Sequence, residues 1–247
     1  MDKILVLKLG STFSSFSGKR GNFEDWVVEK SGMGREFFQI HDAVSEPNFS
    51  KLKNFTGVIL TGSHDMVTDF LEWSELTAKW LAREVIGKVP ILGICYGHQL
   101  LAHALGGSVT YNSDGMELGT YLLHFLPGAA ADPLFNDMEF PFWVHMSHSQ
   151  SVSRLPEGAI PLARTDRCEI GAFSLAPFTW GIQFHPEFDA EILRYYVHRS
   201  EKKLREEEQD FEAILDQIQE TPESTKFLHR FCQFCLSDNR KSVGKIN

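Results

Sequence analysis

Long apolar segments are missing from this 247-residue chain. The apolar start, residues 1–9, is short and interrupted by charged side chains, which argues against a secretory signal or a membrane-spanning helix. We expect it to form the first buried strand instead. Cysteine is also scarce, with four residues, so a disulfide-rich secreted scaffold is not indicated. Together these absences predict a cytoplasmic protein.

Basic residues are in deficit as well. The chain has 24 Lys and Arg residues against 33 Asp and Glu residues, a formal net charge of -9. A nucleic-acid surface needs clustered cations, and an anionic membrane would be repelled, so we expect neither as a partner. The phosphate-loop pattern Gly-x-x-x-x-Gly-Lys does not occur, which argues against a fused ATP-using domain. Apolar residues make up 43% of the chain, enough for one large core.

One cysteine lies in an informative turn. Cys95 is the centre of the pentapeptide Gly-Ile-Cys-Tyr-Gly, between apolar runs at 89–92 and 100–105. This order predicts a strand, a sharp turn and a helix, with glycines where side chains would collide. The thiol would project from the carboxyl edge of a sheet, beside the positive end of a helix that favours thiolate. Cys95 is therefore a candidate nucleophile.

A second apolar strand, about 90 residues downstream, ends in Phe-His-Pro-Glu. At a strand end, His185 can point toward the turn at Cys95, which we call the elbow. Glu187 can then accept a hydrogen bond from the ring nitrogen of His185 that faces away from the elbow. A nucleophile, a base and an orienting carboxylate form a catalytic triad. The two segments together predict catalysis by Cys95, His185 and Glu187.

Four segments carry a resemblance to a known family: residues 59–63, 93–99, 146–152 and 183–188. In order and spacing they resemble class I glutamine amidotransferase domains with a Cys-His-Glu triad, most closely the stand-alone GMP-synthetase-like branch. The resemblance extends from about residue 3 to residue 198. It implies acyl transfer from a γ-glutamyl amide through a cysteine thioester, a reaction that requires no cofactor and no metal.

The resemblance also implies roles for further residues. The backbone N–H groups of Gly62, Ser63 and Tyr96 would form the oxyanion hole, and Gln99 with the Ser149–Gln150 backbone would bind the amino-acid end of the substrate. For His148, on the same loop, a contribution to substrate binding and a role in the turn are both open.

Two departures from the family pattern concern the substrate. Gly62-Ser63-His64 stands where many members have Gly-Gly-Pro, and His148-Ser149-Gln150 stands where the GMP-synthetase branch has His-Gly-Asp. A backbone donor survives a side-chain change, so the first departure leaves the oxyanion hole possible. The second lies where the family binds glutamine or meets a synthetase, so it leaves the substrate less defined than the chemistry.

The pattern along the chain predicts an α/β fold, and the family resemblance implies that it is of the flavodoxin-like type. Strands at 3–9, 35–41 and 57–61 alternate with helices, which implies a mostly parallel central sheet with helices on both faces. We expect a loop over 10–21, a helix near 23–31 and another over 71–85. Turn signals between 109 and 182 predict short strands in a small antiparallel edge layer that carries His185 back to the elbow.

The C-terminal part has a different composition. We interpret 1–200 as the catalytic domain and 201–247 as a helical extension packed on the same domain. Charged residues dominate 201–219, where Leu204, Phe211, Leu215 and Ile218 predict one amphipathic helix, and Pro222 starts another helix. Cys232 and Cys235 on that last helix are interpreted as core residues, because a structural zinc needs about four ligands.

The fate of the released ammonia stays open at this level. One hypothesis is a stand-alone hydrolase of glutamine or another γ-glutamyl compound, which the sequence slightly favours. An alternative is a glutaminase subunit that delivers ammonia to a separate synthetase, and a further one is a catalytically silent regulatory binding protein. The expected partners are a small-molecule substrate and either a synthetase subunit or a second copy of the chain.

Overall fold

A computed structural model of the protein describes residues 3–237. Its strands are β1 (Lys3–Lys8), β2 (Phe38–Asp42), β3 (Phe55–Leu60), β4 (Ile91–Ile94), β5 (Ser108–Tyr111), β6 (Glu117–Phe125), β7 (Phe142–His148), β8 (Gln150–Arg154), β9 (Ile160–Arg164), β10 (Ala172–Leu175) and β11 (Thr179–Ile182). Its helices are α1 (Ser14–Arg20), α2 (Phe23–Lys30), α3 (Glu72–Trp80), α4 (Tyr96–Ala104), α5 (Ala190–Arg199), α6 (Glu201–Glu206), α7 (Phe211–Asp216) and α8 (Pro222–Leu236).

The main sheet has the strand order β2-β1-β3-β4-β11-β10-β9-β6-β7 in the described residues. The strands from β2 to β11 run parallel. Beyond β11 the neighbours are antiparallel, and β5 pairs with β8 in a small separate antiparallel sheet. The predicted α/β fold with a parallel central sheet is confirmed.

Alternating side chains of the central strands pack against helices on both faces of the sheet. On β1, Ile4 and Val6 pack in one core cluster with α2 and α8, whereas Leu5 and Leu7 pack in another with α3 and α4. A strand with helices on both sides reads as a continuous apolar run, as residues 4–7 do. A third cluster joins α1, α2 and α5 to α6 and α7.

The parallel strands place three loops at one edge of the sheet. Gly62 follows β3, Cys95 follows β4 and His185 follows β11, and these three strands are neighbours. Carboxyl ends of parallel strands are where α/β folds bind ligands. The pairing of β4 with β11 continues to this edge, since the backbone N–H of Cys95 donates to the Ile182 carbonyl at 2.9 Å.

Some predicted element bounds were wrong. Residues 10–21 contain α1 rather than a loop only, because Phe16 stacks on Tyr195 with ring centroids 4.0 Å apart. That contact spans most of the chain and has no local signal. The strand predicted at 35–41 begins at Phe38, after a short 3-10 turn. The helix predicted over 71–85 is α3 followed by one π-helical segment over Leu81–Val85.

The single helix predicted over 201–219 is two short helices, α6 and α7. Between them Glu208 has a left-handed backbone, with φ of 56°. Asp210 then starts α7 by accepting a hydrogen bond from the Ala213 N–H at 3.0 Å. The predicted apolar stripe remains buried at Leu204, Phe211 and Ile218. The start of α8 at Pro222 is confirmed.

The C-terminal helices pack on the core clusters of the first 200 residues. The predicted boundary at residue 200 stays a prediction, and its last part, 238–247, lies outside the described residues. Among the helices of the described residues, none has the length and apolar character needed to cross a membrane.

Candidate active site

Cys95 occupies a strained backbone turn between β4 and α4. Its φ and ψ are 50° and −100°, a conformation that costs free energy for a residue with a side chain. Flanking glycines make the turn possible. A β-carbon on Gly93 would collide with the Gly97 backbone, and one on Gly97 would lie 2.6 Å from the Leu60 β-carbon. The predicted elbow geometry is therefore present.

The Cys95 side chain is 5% exposed and lies at the N-terminus of α4. Its sulfur is 3.6 Å from the Ser147 carbonyl oxygen, to which the thiol form donates. The first N–H groups of a helix have no partner within the helix, and their positive end stabilises a thiolate. The backbone N–H of Tyr96 is one of these groups.

His185 and Glu187 form a buried pair beside this sulfur. His185 Nδ1 lies 2.8 Å from Glu187 Oε1, and both side chains are almost inaccessible to solvent. The imidazole stacks on Phe188 with ring centroids 4.1 Å apart. Its Nε2 is buried, and no acceptor or donor in the described residues lies at full hydrogen-bond geometry from it. The imidazole nevertheless interacts electrostatically with the neighbouring Cys95 side chain.

The protonation of His185 follows from its neighbours. Burial lowers the pKa of His185, but the charges of Glu187 and Cys95 outweigh burial and raise that pKa to about 10. The imidazole is therefore protonated near neutral pH, next to the sulfur. The structure thus brings together the three residues that the sequence predicted as a triad.

The loop after β3 closes the site from the other side. A β-carbon on Gly62 would lie 3.2 Å from His185 Cε1 and 3.9 Å from the Cys95 β-carbon. Glycine is needed at this position because of that close approach. The backbone N–H groups of Gly62 and Ser63 donate no hydrogen bond within residues 3–237. They are thus available as the predicted oxyanion donors.

A cavity of about 290 Å³ opens above Cys95. Its walls come from the loop after β3, the start of α4, the turn between β7 and β8, and three more distant segments. Those segments contribute Phe13 before α1, Met116 before β6, and Tyr196, Ser200 and Lys203 from α5 to α6. Cys95 lies among the lining residues, together with Gln99, Ser149 and Gln150.

The residues predicted to bind the substrate differ in whether their polar groups face the cavity. Gln99 Nε2 donates to the Gln150 carbonyl at 2.7 Å and to Gln183 Oε1 at 3.1 Å, so its amide nitrogen is occupied by the protein. The Gln150 side chain turns away to Thr68 Oγ1 at 2.6 Å. Ser149, in contrast, carries its hydroxyl on the cavity wall, where Lys203 donates to it at 2.8 Å.

His148 is buried, lines the cavity, and takes part in a polar network with its side chain. Its Nε2 lies 2.8 Å from Glu117 Oε2, and its Nδ1 lies 2.9 Å from the Gln150 carbonyl oxygen. The other Glu117 oxygen accepts from Thr165 Oγ1 at 2.7 Å. These hydrogen bonds are consistent with the turn role for His148, and its place in the cavity wall is consistent with substrate binding, so both roles stay predictions.

Glu117, His148 and Cys168 have potential ligand atoms within 4.8 Å of one another. Zinc accepts such donors, but both Glu117 oxygens and His148 Nε2 already take part in hydrogen bonds. Burial also raises the pKa of Cys168 to about 12, which disfavours the thiolate that a metal needs. The group is better described as a hydrogen-bonded network.

Sequence reasoning missed two residues of this region, Glu117 and Lys203. Glu117 begins a strand and looks like an ordinary solvent-facing acid. Lys203 lies in a run of charged residues, where nothing distinguishes it from Lys202. Only contacts across the fold give either residue a role.

Comparison with known proteins agrees with this architecture. The chain belongs to the family "Glutamine amidotransferase class-I", whose family model matches residues 27–200. The chain is similar to Gamma-glutamyl peptidase 2 of Arabidopsis thaliana, with 28% identity over 195 residues, which cover 78% of each chain. It is also similar to GMP synthase [glutamine-hydrolyzing] of Thermosipho melanesiensis, with 33% identity over 209 residues. That match covers 82% of this chain but only 37% of the synthase.

A solved structure shares the fold. The crystal structure of a glutamine amidotransferase from Thermotoga maritima superposes with a TM-score of 0.72 at 20% identity. The match covers 96% of this chain and 100% of that one. The structural match therefore extends beyond the 27–200 segment that the family model matches.

Proposed function

We propose that the protein hydrolyses a γ-glutamyl amide bond in a small molecule, through a thioester on Cys95. The observation that carries this proposal is the meeting of Cys95, His185 and Glu187 beside the 290 Å³ cavity, whose wall includes Cys95. Family membership supports the same class of chemistry. The substrate is glutamine or another γ-glutamyl compound, and the reaction needs no metal or organic cofactor.

The first half of the reaction forms the acyl-enzyme. The Cys95 sulfur attacks the γ-carbonyl carbon, and the carbonyl oxygen gains negative charge. Backbone N–H groups of Gly62, Ser63 and Tyr96 stabilise that charge. The C–N bond then breaks, and His185 gives its proton to the departing nitrogen, which leaves as ammonia or an amine. The raised pKa of His185 favours a proton on the imidazole, and this is the proton that the departing nitrogen receives.

The second half regenerates the enzyme. His185, now neutral, takes a proton from water, and the resulting hydroxide attacks the thioester carbon. The C–S bond breaks, glutamate leaves with a new carboxyl group, and the proton stays on His185 beside the sulfur. Glu187 keeps the imidazole oriented and stabilises its charged form in both halves.

The relatives support two versions of this function. Gamma-glutamyl peptidase 2 is similar over most of both chains, which supports a self-sufficient hydrolase. The GMP synthase match covers only about a third of that protein, which supports an amidotransferase unit that serves a separate synthetase. We favour the hydrolase, because Lys203 from the C-terminal part of this chain contributes to the wall of the cavity.

A substrate panel tests the proposal. Purified protein is incubated with glutamine and with γ-glutamyl dipeptides, and both released amine and free glutamate are measured. Cys95→Ser should lose several orders of magnitude in rate, since His185 is matched to a thiol. Cys168→Ala, which removes another buried thiol, should keep its activity. Retention of more than about a tenth of the rate in Cys95→Ser, a barrier change below ~1.4 kcal/mol, would exclude this centre.

A further inference from the structure

The cavity contains a cation that the proposed chemistry does not use. Lys203 is the one lysine or arginine among the described residues that line it. It lies on α6, beyond the 27–200 segment that the family model matches. Its position in the cavity is therefore a feature of this chain's C-terminal part.

Lys203 is held in place but stays reachable. Its Nζ donates to Ser149 Oγ at 2.8 Å and lies 3.9 Å from Glu207 Oε1. The side chain is 47% exposed, so an anion in the cavity can approach the ammonium group. Glu207 is itself engaged by the Met116 N–H at 2.7 Å, which limits its motion toward Lys203.

The distance from the nucleophile to this cation suits the acyl part of the substrate. The Cys95 sulfur lies 3.6 Å from the Ser147 carbonyl oxygen, and Ser149 lies two residues further on, which puts it at most about 7 Å from Ser147. In a γ-glutamyl group, four carbon–carbon bonds join the γ-carbonyl carbon to the α-carboxyl carbon and span about 5 Å. A γ-carbonyl at Cys95 thus brings the α-carboxylate within reach of Ser149 and Lys203.

The leaving amine occupies a different direction. It must receive its proton from His185, and His185 is not among the residues that line the cavity in the described chain. The group that fills the cavity is consequently the acyl part. Its carboxylate meets a cation and a hydroxyl, a pairing that gives charge-assisted hydrogen bonds.

We propose that Lys203 and the Ser149 hydroxyl bind the α-carboxylate of the γ-glutamyl group, an inference that rests on the function proposed above. The substrate class follows from this role. It comprises free glutamine and γ-glutamyl compounds with an unsubstituted α-carboxylate, and it excludes glutamine side chains within proteins, whose α-carboxyl group forms a peptide bond.

The test compares two forms of one substrate. The best γ-glutamyl substrate of the wild type is prepared with its free α-carboxylate and with that group converted to a primary amide. Lys203→Met should raise KM for the free acid about 10- to 100-fold and change kcat little, because one charged hydrogen bond is lost. It should not change KM for the amide. Lys203→Arg should restore most of the binding, and Lys202→Met, at a neighbouring 89% exposed lysine, should behave as wild type.

Two kinetic outcomes overturn the assignment. Equal KM changes for acid and amide would mean that Lys203 acts only on the structure of the cavity wall. No KM change for the acid would mean that Lys203 does not contact the substrate.

Calorimetric titration of glutamine into Cys95→Ala, with and without Lys203→Met, separates this proposal from the proposed function. Binding to Cys95→Ala that depends on Lys203, together with a wild-type protein that shows no turnover, would reject only the hydrolase function. No binding of glutamine by Cys95→Ala would overturn the Lys203 site.

Discussion

At the scale of single residues, the site depends on how charge is distributed around one sulfur. The chain has other buried cysteines, but Cys95 alone among them follows a strand in a strained turn and has His185 beside it. Burial raises the pKa of both Cys168 and Cys232 to about 12, so their thiols stay protonated. Reactivity is therefore set by the surroundings of each thiol.

We predict selective alkylation of Cys95. A glutamine-like chloroketone should label Cys95 rapidly and spare Cys168 and Cys232, because only a thiolate attacks the reagent. Peptide mapping by mass spectrometry after brief exposure measures this. Equal labelling of all three residues would contradict a specific γ-glutamyl site.

The charge of Glu187 should control the alkaline limit of activity. His185 must hold a proton to release the amine, so kcat/KM should fall as the pH rises through about 10, the raised pKa of His185. Glu187→Gln removes the main charge that raises this pKa, and the limit should move to lower pH by about 1–3 units. Profiles of kcat/KM against pH for both proteins measure the shift. An alkaline limit that stays in place would show that Glu187 does not act through His185.

The same group links pH to stability. Since the pKa of His185 rises from its ordinary 6.5 to about 10 on folding, the folded state holds this proton more tightly. The resulting stabilisation is complete below pH 6.5 and is lost as the pH rises through about 10. In Glu187→Gln this alkaline loss should be smaller.

At the scale of elements, the elbow depends on how closely α4 approaches the sheet. A β-carbon on Gly97 would lie 2.6 Å from the Leu60 β-carbon and 2.7 Å from the Leu60 carbonyl oxygen. Both positions are backbone or near-backbone, so neither can move without displacing β3 or α4. The nucleophile is held by this contact between a helix and a strand.

Gly97→Ala should consequently destabilise the protein by about 1–3 kcal/mol and lower activity, as overpacking forces α4 away from β3. Gly18→Ala in α1 is a matched control, because a β-carbon there meets no atom within 4 Å. It should be neutral or stabilise the fold by up to about 1 kcal/mol. Urea unfolding of both variants gives the two free energies. A Gly97→Ala protein as stable as wild type would mean that the elbow is less tightly packed than described.

At the scale of the whole molecule, the cavity combines parts from distant regions of the chain. Phe13, the loop after β3, the turn between β7 and β8, and Lys203 all line it. The C-terminal part thus contributes to the cavity wall within a single chain. This contribution supports our proposal of a protein that works without a dedicated synthetase.

The isolated protein should therefore turn over its best γ-glutamyl substrate at ~1 s⁻¹ or faster, the range of ordinary enzymes. Addition of cell extract depleted of its own glutaminase activity should leave the rate unchanged. Slow turnover that rises strongly with extract would instead support a subunit that is activated by a synthetase. In such a subunit the active site closes only when the partner binds.

The sequence by itself determined the class of fold and the candidate triad. Apolar runs, glycines and turn residues determine structure over a few neighbouring positions. The β4–Cys95–α4 elbow and the strand before His185 are therefore specified by local sequence. The family resemblance rests on the same local segments. For this reason the predictions for Cys95, His185 and Glu187 led to residues that lie together in the structure.

Tertiary structure alone decided which polar residues serve the site. Glu117 becomes the partner of His148, and Lys203 becomes the cation of the cavity, through contacts across 31 and 54 residues. The helix α1 likewise packs on a distant side chain, and next to the break between α6 and α7 the Glu207 carboxylate accepts from the distant Met116 N–H. A charged residue in a polar run has no local signal for its partner, because its partner is set by how the elements pack and not by its neighbours in the chain.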